Sequence, residues 1–175
     1  GDTITVRIGD QRFGSPGIRM QTFCEDSFEF KVLADPIATG DYVELPAQPS
    51  LAIVPGMPEV WKAVLPTLVP VGASFRLCLK AEDIWGNPSG RISETVRFDT
   101  ERPVAGLPET VTFQPGERAK VIDGLSIAGE CDLVIRVLSA DGDVLTTSNL
   151  CRISDAYAYG QYWSDLHGQS EETVG

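Results

Sequence analysis

SFRLCLKAEDIWGNPSGRISETVRF, from Ser74 to Phe98, decides how this chain folds. Its opening SFRLCLKA (Ser74 to Ala81) alternates apolar and polar residues and places Phe75, Leu77 and Leu79 inward, the two-residue period of a half-buried strand. DIWGNPSG (Asp83 to Gly90) is a cluster of turn formers, and ISETVRF (Ile92 to Phe98) reads as the return strand. Within the turn, Asp83 and Asn87 can bond backbone amides, Gly86 supplies an unusual φ angle, and Pro88 ends ladder donation. Two readings compete for it: a ligand or calcium loop, or a structural turn between core strands with Trp85 covering the sandwich end. The structural turn is the commoner outcome for such residues and is the one adopted.

Working outward, similar stretches recur on both sides. ITVRI (Ile4 to Ile8), IRMQTF (Ile18 to Phe23), FEFKVLA (Phe28 to Ala34), YVEL (Tyr42 to Leu45) and LAIV (Leu51 to Val54) read as strands, with VPVG at Val69 to Gly72 beyond a Pro-rich crossing. In FEFKVLA, Phe28, Phe30 and Val32 share one face. Helical signals are scarce; the best candidate is PEVWKAVLP (Pro58 to Pro66), closed by a proline at each end and able to hold about two turns. The chain contains 16 Val, 11 Ile and 12 Thr, with 29 Gly and Pro to punctuate them. That composition points to an all-β protein, and the strand spacing to an immunoglobulin-like β-sandwich over residues 1–100.

TERPVAGLPE (Thr100 to Glu109) carries two prolines and no periodicity, and reads as a linker or a sheet crossing. A second, small β segment is expected over 101–156: TVTFQPGERAKVI (Thr110 to Ile122), then DLVIRVL (Asp132 to Leu138) leading through Asp141-Gly142 into VLTT (Val144 to Thr147). Asp-Gly between β-branched runs signals a hairpin, because a tight turn needs positive φ angles that these residues tolerate. So small a segment is expected to pack on the first or on something absent from this chain. Residues 157–175 form a tail.

Twenty-five acids against fourteen Lys and Arg leave a net charge of -11 and a pI near 4.4. Such a balance argues against a nucleic-acid partner and against docking on an anionic membrane. The longest apolar runs fall far short of the ~18 residues of a membrane span, and GDTITVRIGD has no signal-peptide pattern. The compartment stays open between cytoplasm and periplasm. One histidine, His167, excludes any self-contained site built from several imidazoles.

Cys24, Cys78, Cys131 and Cys151 show no metal-type spacing. A hairpin turning at Asp141-Gly142 would set Cys131 and Cys151 nearly opposite each other. Either they form a cross-strand disulfide or they are two reduced, partly buried thiols acting as small apolar side chains. The second reading is adopted.

In the tail, YWSDLH (Tyr162 to His167) reads as a short strand that places Asp165, His167 and Gln169 on one side. By itself an Asp-x-His pair is more often a structural hydrogen-bonded pair than a metal site. The fuller run DLHGQSEETVG is similar to the opening motif, D-L-H-x-H-[ST], of the polymerase-and-histidinol-phosphatase (PHP) superfamily of metal-dependent phosphoesterases. The run from Ser148 to Gly175 resembles the junction in a large bacterial family of PHP-like proteins of unassigned function. Members carry N-terminal β-sandwich segments with a DxWGNP-type turn, compare Asp83 to Pro88, and a Gly-x-x-Leu hairpin closing on Ser-Asn, compare Gly142 to Asn149.

The resemblance implies a non-catalytic accessory fragment preceding a PHP-like hydrolase domain. It implies Asp165 and His167 as ligands of a divalent metal (Zn, Mn or Fe) in the full-length protein, with Glu171 and Glu172 assisting beside them. It implies no cofactor in the fragment itself, and as partner the missing C-terminal PHP-like domain of the same chain. Gln169 departs from the superfamily's second histidine. The alternative is a stand-alone immunoglobulin-like binding or adhesion module for carbohydrate or protein, using Trp61, Trp85 or Trp163. No Gly-rich phosphate loop, Ser-His-Asp set or Cys-His pair supports a complete enzyme.

Overall fold

The alternation that starts at Ser74 becomes the central strand. β7 (Phe75–Glu82) buries Phe75, Leu77, Leu79 and Ala81 on one face. Antiparallel neighbours flank it: β5 (Val60–Val64) sets Ala63 opposite Leu79, and β10 (Ala119–Leu125) sets Lys120 opposite the same residue. The computed structural model describes residues 5–159, 162 and 164, and among them it has fourteen strands and no helix.

The second sheet runs β9 (Thr110–Thr112), β8 (Thr95–Asp99), β12 (Arg136–Leu138), β13 (Val144–Thr147). Its last hairpin continues as β11 (Cys131–Leu133) and β14 (Cys151–Ile153), and β14 pairs in parallel with β6 (Leu68–Val69). Val96, Phe113, Leu133, Ile135, Val137 and Ile153 meet the β7 face in one buried cluster. Three strands facing a sheet that ends in a short parallel strand make an immunoglobulin-like β-sandwich, and the protein is all-β.

These strands run from Val60 to Ile153, so the sandwich extends on both sides of the division expected after residue 100. The strands that complete β7 and β8 lie at 119–125 and 136–138. Thr100 to Glu109 is thus a crossing within one sandwich. Gly106 sits there with φ +81°, and a Cβ on it would come within 2.7 Å of the Gly124 carbonyl oxygen.

PEVWKAVLP forms β5, not a helix. Ala63 and Leu65 are buried and Trp61 half-buried, while Val60 and Val64 face water, a period of two that a helix would scramble. Asp141-Gly142 does turn a hairpin, but only Gly142 takes a positive φ, of 98°. Its N–H donates to Ser139 O at 3.1 Å and Ser139 N–H donates to Asp143 O at 2.8 Å, which makes a three-residue loop rather than the two-residue form. The hairpin is bent midway, where the Ser148 hydroxyl accepts from Ile135 N–H at 3.0 Å and donates to Asn149 O at 2.9 Å.

The N-terminal part is built differently. β1 (Glu25–Glu29) pairs with β4 (Ser50–Ile53), setting Phe28 opposite Leu51, and β2 (Leu33–Ala34) pairs with β3 (Val43–Glu44). Neither ladder joins a sheet of the sandwich. The described part of ITVRI and the whole of IRMQTF are not strands, and FEFKVLA divides between β1 and β2. Gly9, Gly14 and Gly17 all have positive φ, which breaks extension, and among the described residues no strand pairs with these segments to take the backbone bonds. None of the residues from 5 to 54 is buried.

Candidate functional site

The densest polar constellation among the described residues is the Asp83–Asn87 turn. Asp83 is only 3% exposed, yet no cation among the described residues pairs with it. Its Oδ1 accepts from Trp85 N–H at 2.9 Å and Asn87 N–H at 3.0 Å; its Oδ2 accepts from Gly56 N–H at 2.9 Å. Asn87 Nδ2 reaches both oxygens, at 3.1 and 3.0 Å. Burial works to raise the Asp83 pKa, but the Asn87 side chain and the Gly56, Asn87 and Trp85 amides overcome it and hold the carboxyl at about 2. Gly86, at φ +86°, lets the chain bring these amides round. Every carboxylate oxygen is already an acceptor, so the turn has the character of a clamp, in keeping with its structural reading.

Asn87 extends the clamp outward. Its Oδ1 accepts from Cys24 N–H at 3.0 Å and its Nδ2 donates to Thr22 O at 2.7 Å, copying what a peptide group does in a strand. Asn149 does the same to Leu65, accepting from its N–H at 2.8 Å and donating to its carbonyl at 2.9 Å. Gln48 repeats the device on Val32. The Asn of the DxWGNP turn and the Asn of the Ser-Asn pair thus both stand in for missing strand neighbours. Their partners lie 63 and 84 residues away, which is why the motifs alone could not disclose them.

The tryptophans separate. Trp61 packs edge to face on Phe113, with centroids 5.4 Å apart and planes at 81°. It belongs to the core, and its truncation reads stability before it reads binding. Trp85 does not cover the sandwich end: it is 56% exposed beside Ile84, with the Arg19 guanidinium 5.5 Å from its ring centroid. The buried carboxylate of Asp83 uses the amides of this turn, which leaves the Ile84 and Trp85 side chains directed to solvent.

The four cysteines are free thiols. Cys131 stands opposite Ile153 and Cys151 opposite Leu133, so the two are diagonal neighbours, displaced by two residues from direct opposition. Burial, reinforced by nearby Cys131, pushes the Cys151 thiol up to about 11. A thiol reagent at pH 8 is therefore expected to leave Cys151 unmodified in the native protein and to count four thiols in denaturant. A denatured count of two would reinstate the disulfide.

A cleft of about 210 Å³ opens between Asp99–Arg102 and Asp132–Arg136. Two of its carboxylates are occupied, Asp99 by Arg136 at 2.5 Å and Asp132 by Arg152 in a two-pronged pair at 2.8 Å. Asp165, His167, Glu171 and Glu172, with Trp163, lie outside the described residues. Among the described residues, no three His, Cys, Asp or Glu side chains converge as metal ligands. Nor do the described residues hold a helix long and apolar enough to cross a membrane.

No protein-family model matches the chain, and no curated protein matches it. Among solved structures it is similar to the "D00-D0 domain of Intimin", at 10% sequence identity and a TM-score of 0.43. That likeness covers 75% of this chain and 66% of the other, so the chain spans just under two thirds of that structure's length.

Proposed function

We propose that the chain is the non-catalytic accessory β region of a larger PHP-like metal-dependent hydrolase, and that its N-terminal layer lies against the metal domain that follows in the full-length protein. The observation that carries this reading is the concentration of exposed apolar side chains ahead of the sandwich. Thirteen large apolar residues between Val6 and Met57 are exposed, including Phe13 at 93%, Ile37 at 78% and Val6 at 80%. A soluble surface rarely gathers so many without a partner to cover them. The tail motif DLHGQSEETVG supplies the partner's class, with Asp165 and His167 as its first metal ligands and the metal activating water for attack on a phosphoester or related bond.

Two measurements test the reading. The full-length protein is expected to retain Zn, Mn or Fe and to lose it on His167→Ala, while this 175-residue chain binds none tightly. Amides of β1 to β4 are expected to exchange more slowly in the full-length protein than here. Full metal occupancy in His167→Ala overturns the ligand assignment, and unchanged exchange overturns the docking.

One observation favours a second reading, a module that binds protein or carbohydrate. The exposed Ile84-Trp85 tip, stiffened by the Asp83 clamp and stacked with Arg19, has the composition of an interaction anchor. Glycan or protein binding by this chain that disappears on Trp85→Ala would favour it over the first.

A further inference from the structure

The N-terminal layer is held to the sandwich by little. Its strands pair only with one another, thirteen of its large apolar side chains up to Met57 are exposed, and none packs against the core cluster. Where it meets the sandwich across sequence, the contacts are hydrogen bonds. Thr22 O and Cys24 N–H pair with the Asn87 amide, and Arg19 stacks on exposed Trp85. Gly56 is also held, its N–H by Asp83 and its carbonyl by the Ser89 hydroxyl at 2.8 Å. Gly56, however, is where the chain leaves the layer on its way to β5. It fixes a pivot rather than the layer itself.

We infer that residues 5–54 open from the sandwich as a separate unit, pivoting at Pro55-Gly56 and latched by the Asn87 side-chain amide. The physical reason is the asymmetry of what opening exposes. None of residues 5–54 is buried and none packs against the core cluster, so release sacrifices chiefly the two Asn87 bonds, which water replaces. The sandwich behaves oppositely, because its strands cannot part without exposing Leu77, Leu79, Ile135 and Val137, all at 0% exposure. The two parts therefore belong to different cooperative units. A partner covering the apolar side chains would select the orientation of the layer, and the latch would hold it in place until then. The inference does not depend on which partner that is.

Native-state hydrogen exchange on the whole chain, followed against denaturant, is the test. Amides of β1 to β4 are expected to exchange at least about a hundredfold faster than those of β7, with a rate nearly flat in denaturant, the mark of local opening. Amides of β7 are expected to follow global unfolding. Asn87→Ala is the obvious variant, but it also strips a donor from Asp83 and could unfold the turn. Cys24→Pro removes only the N–H that Asn87 Oδ1 accepts, at a position just before a strand where proline is tolerated. It is expected to raise exchange in β1 to β4 by a further tenfold or so while β7 protection and the melting transition stay unchanged. The inference is overturned if β1 to β4 in the unmodified chain share the protection and denaturant slope of β7. It is equally overturned if Cys24→Pro lowers protection in both parts together.

Discussion

Asp83→Ala is expected to lower the melting temperature by more than about 10 °C, measured by calorimetry or circular dichroism. Asp83 accepts from the amides of Gly56, Trp85 and Asn87 and from the Asn87 side chain, which donates to Thr22 O as well. Removing it leaves these donors facing one another around a side-chain position that is 3% exposed, and unmet donors there cost more than a bond gains. Asp83→Asn keeps the shape but turns one acceptor into a donor aimed at donors, so a large loss is expected there too. A melting temperature within about 2 °C of wild type for Asp83→Ala would refute the clamp.

The same residue predicts a pH signature. Its folded pKa, about 2, lies below the ordinary 3.8, so the folded state holds the proton less well than the unfolded one. The stabilisation is therefore complete above about pH 4 and drains away as the pH falls towards 2. Asp35, Glu117 and Asp132 are also held low, by backbone bonds to Thr39 and Gly40, by Lys120 and by Arg152 respectively. Acid unfolding of the unmodified chain thus mixes several carboxylates. The difference between it and Asp83→Asn isolates one, and a difference that does not change between pH 4 and 2 would contradict the assignment.

Leu79→Ala is expected to cost about 3–5 kcal/mol in denaturant titration. Leu79 is fully buried at the middle of β7, with Ala63 and Lys120 as its strand neighbours, and the strands around it are fixed on both sides. Little collapse into the cavity is therefore available. Val121→Ala, on the outer face at 51% exposure, is the control and is expected to change stability by no more than about 0.5 kcal/mol. Equal losses at the two positions would mean that the buried face has been assigned wrongly.

The contrast between β5 and β7 shows what local pattern can carry. β7 alternates over eight residues with three inward large side chains, and its face was legible at once. β5 has five residues, Ala and Leu among its neighbours and a proline at each end, so length and composition suggested a short helix. Pairing with β7 overrode that weak preference, as tertiary context does for short segments. The described part of ITVRI and the whole of IRMQTF failed in the other direction. Alternation is a property of one segment, but a strand also needs a neighbour for its N–H and C=O groups, and among the described residues no strand pairs with these.

The candidate site divides along the same line. That Asp83, Gly86 and Asn87 make a tight turn was readable, because Asx side chains bond amides within four residues and glycine admits positive φ. That Asn87 also reaches Thr22 and Cys24, and that Asn149 reaches Leu65, was not readable, since those contacts span 63 to 84 residues. The displacement of Cys131 from Cys151 had the same origin. The ladder shifts by one residue between Val137 and Leu138 and by one more at the Ser148 bend, tertiary events with no mark in the spacing.

The amino-acid sequence by itself determined an all-β chain, the inward face of β7, the hairpin at Gly142 and the clamp residues of the turn. Each depends on interactions between residues a few positions apart. Only the tertiary structure decided that residues 60–153 close into one sandwich and that residues 5–54 remain unburied. Those outcomes depend on which distant strands meet, and burial belongs to the meeting of two faces rather than to either face alone.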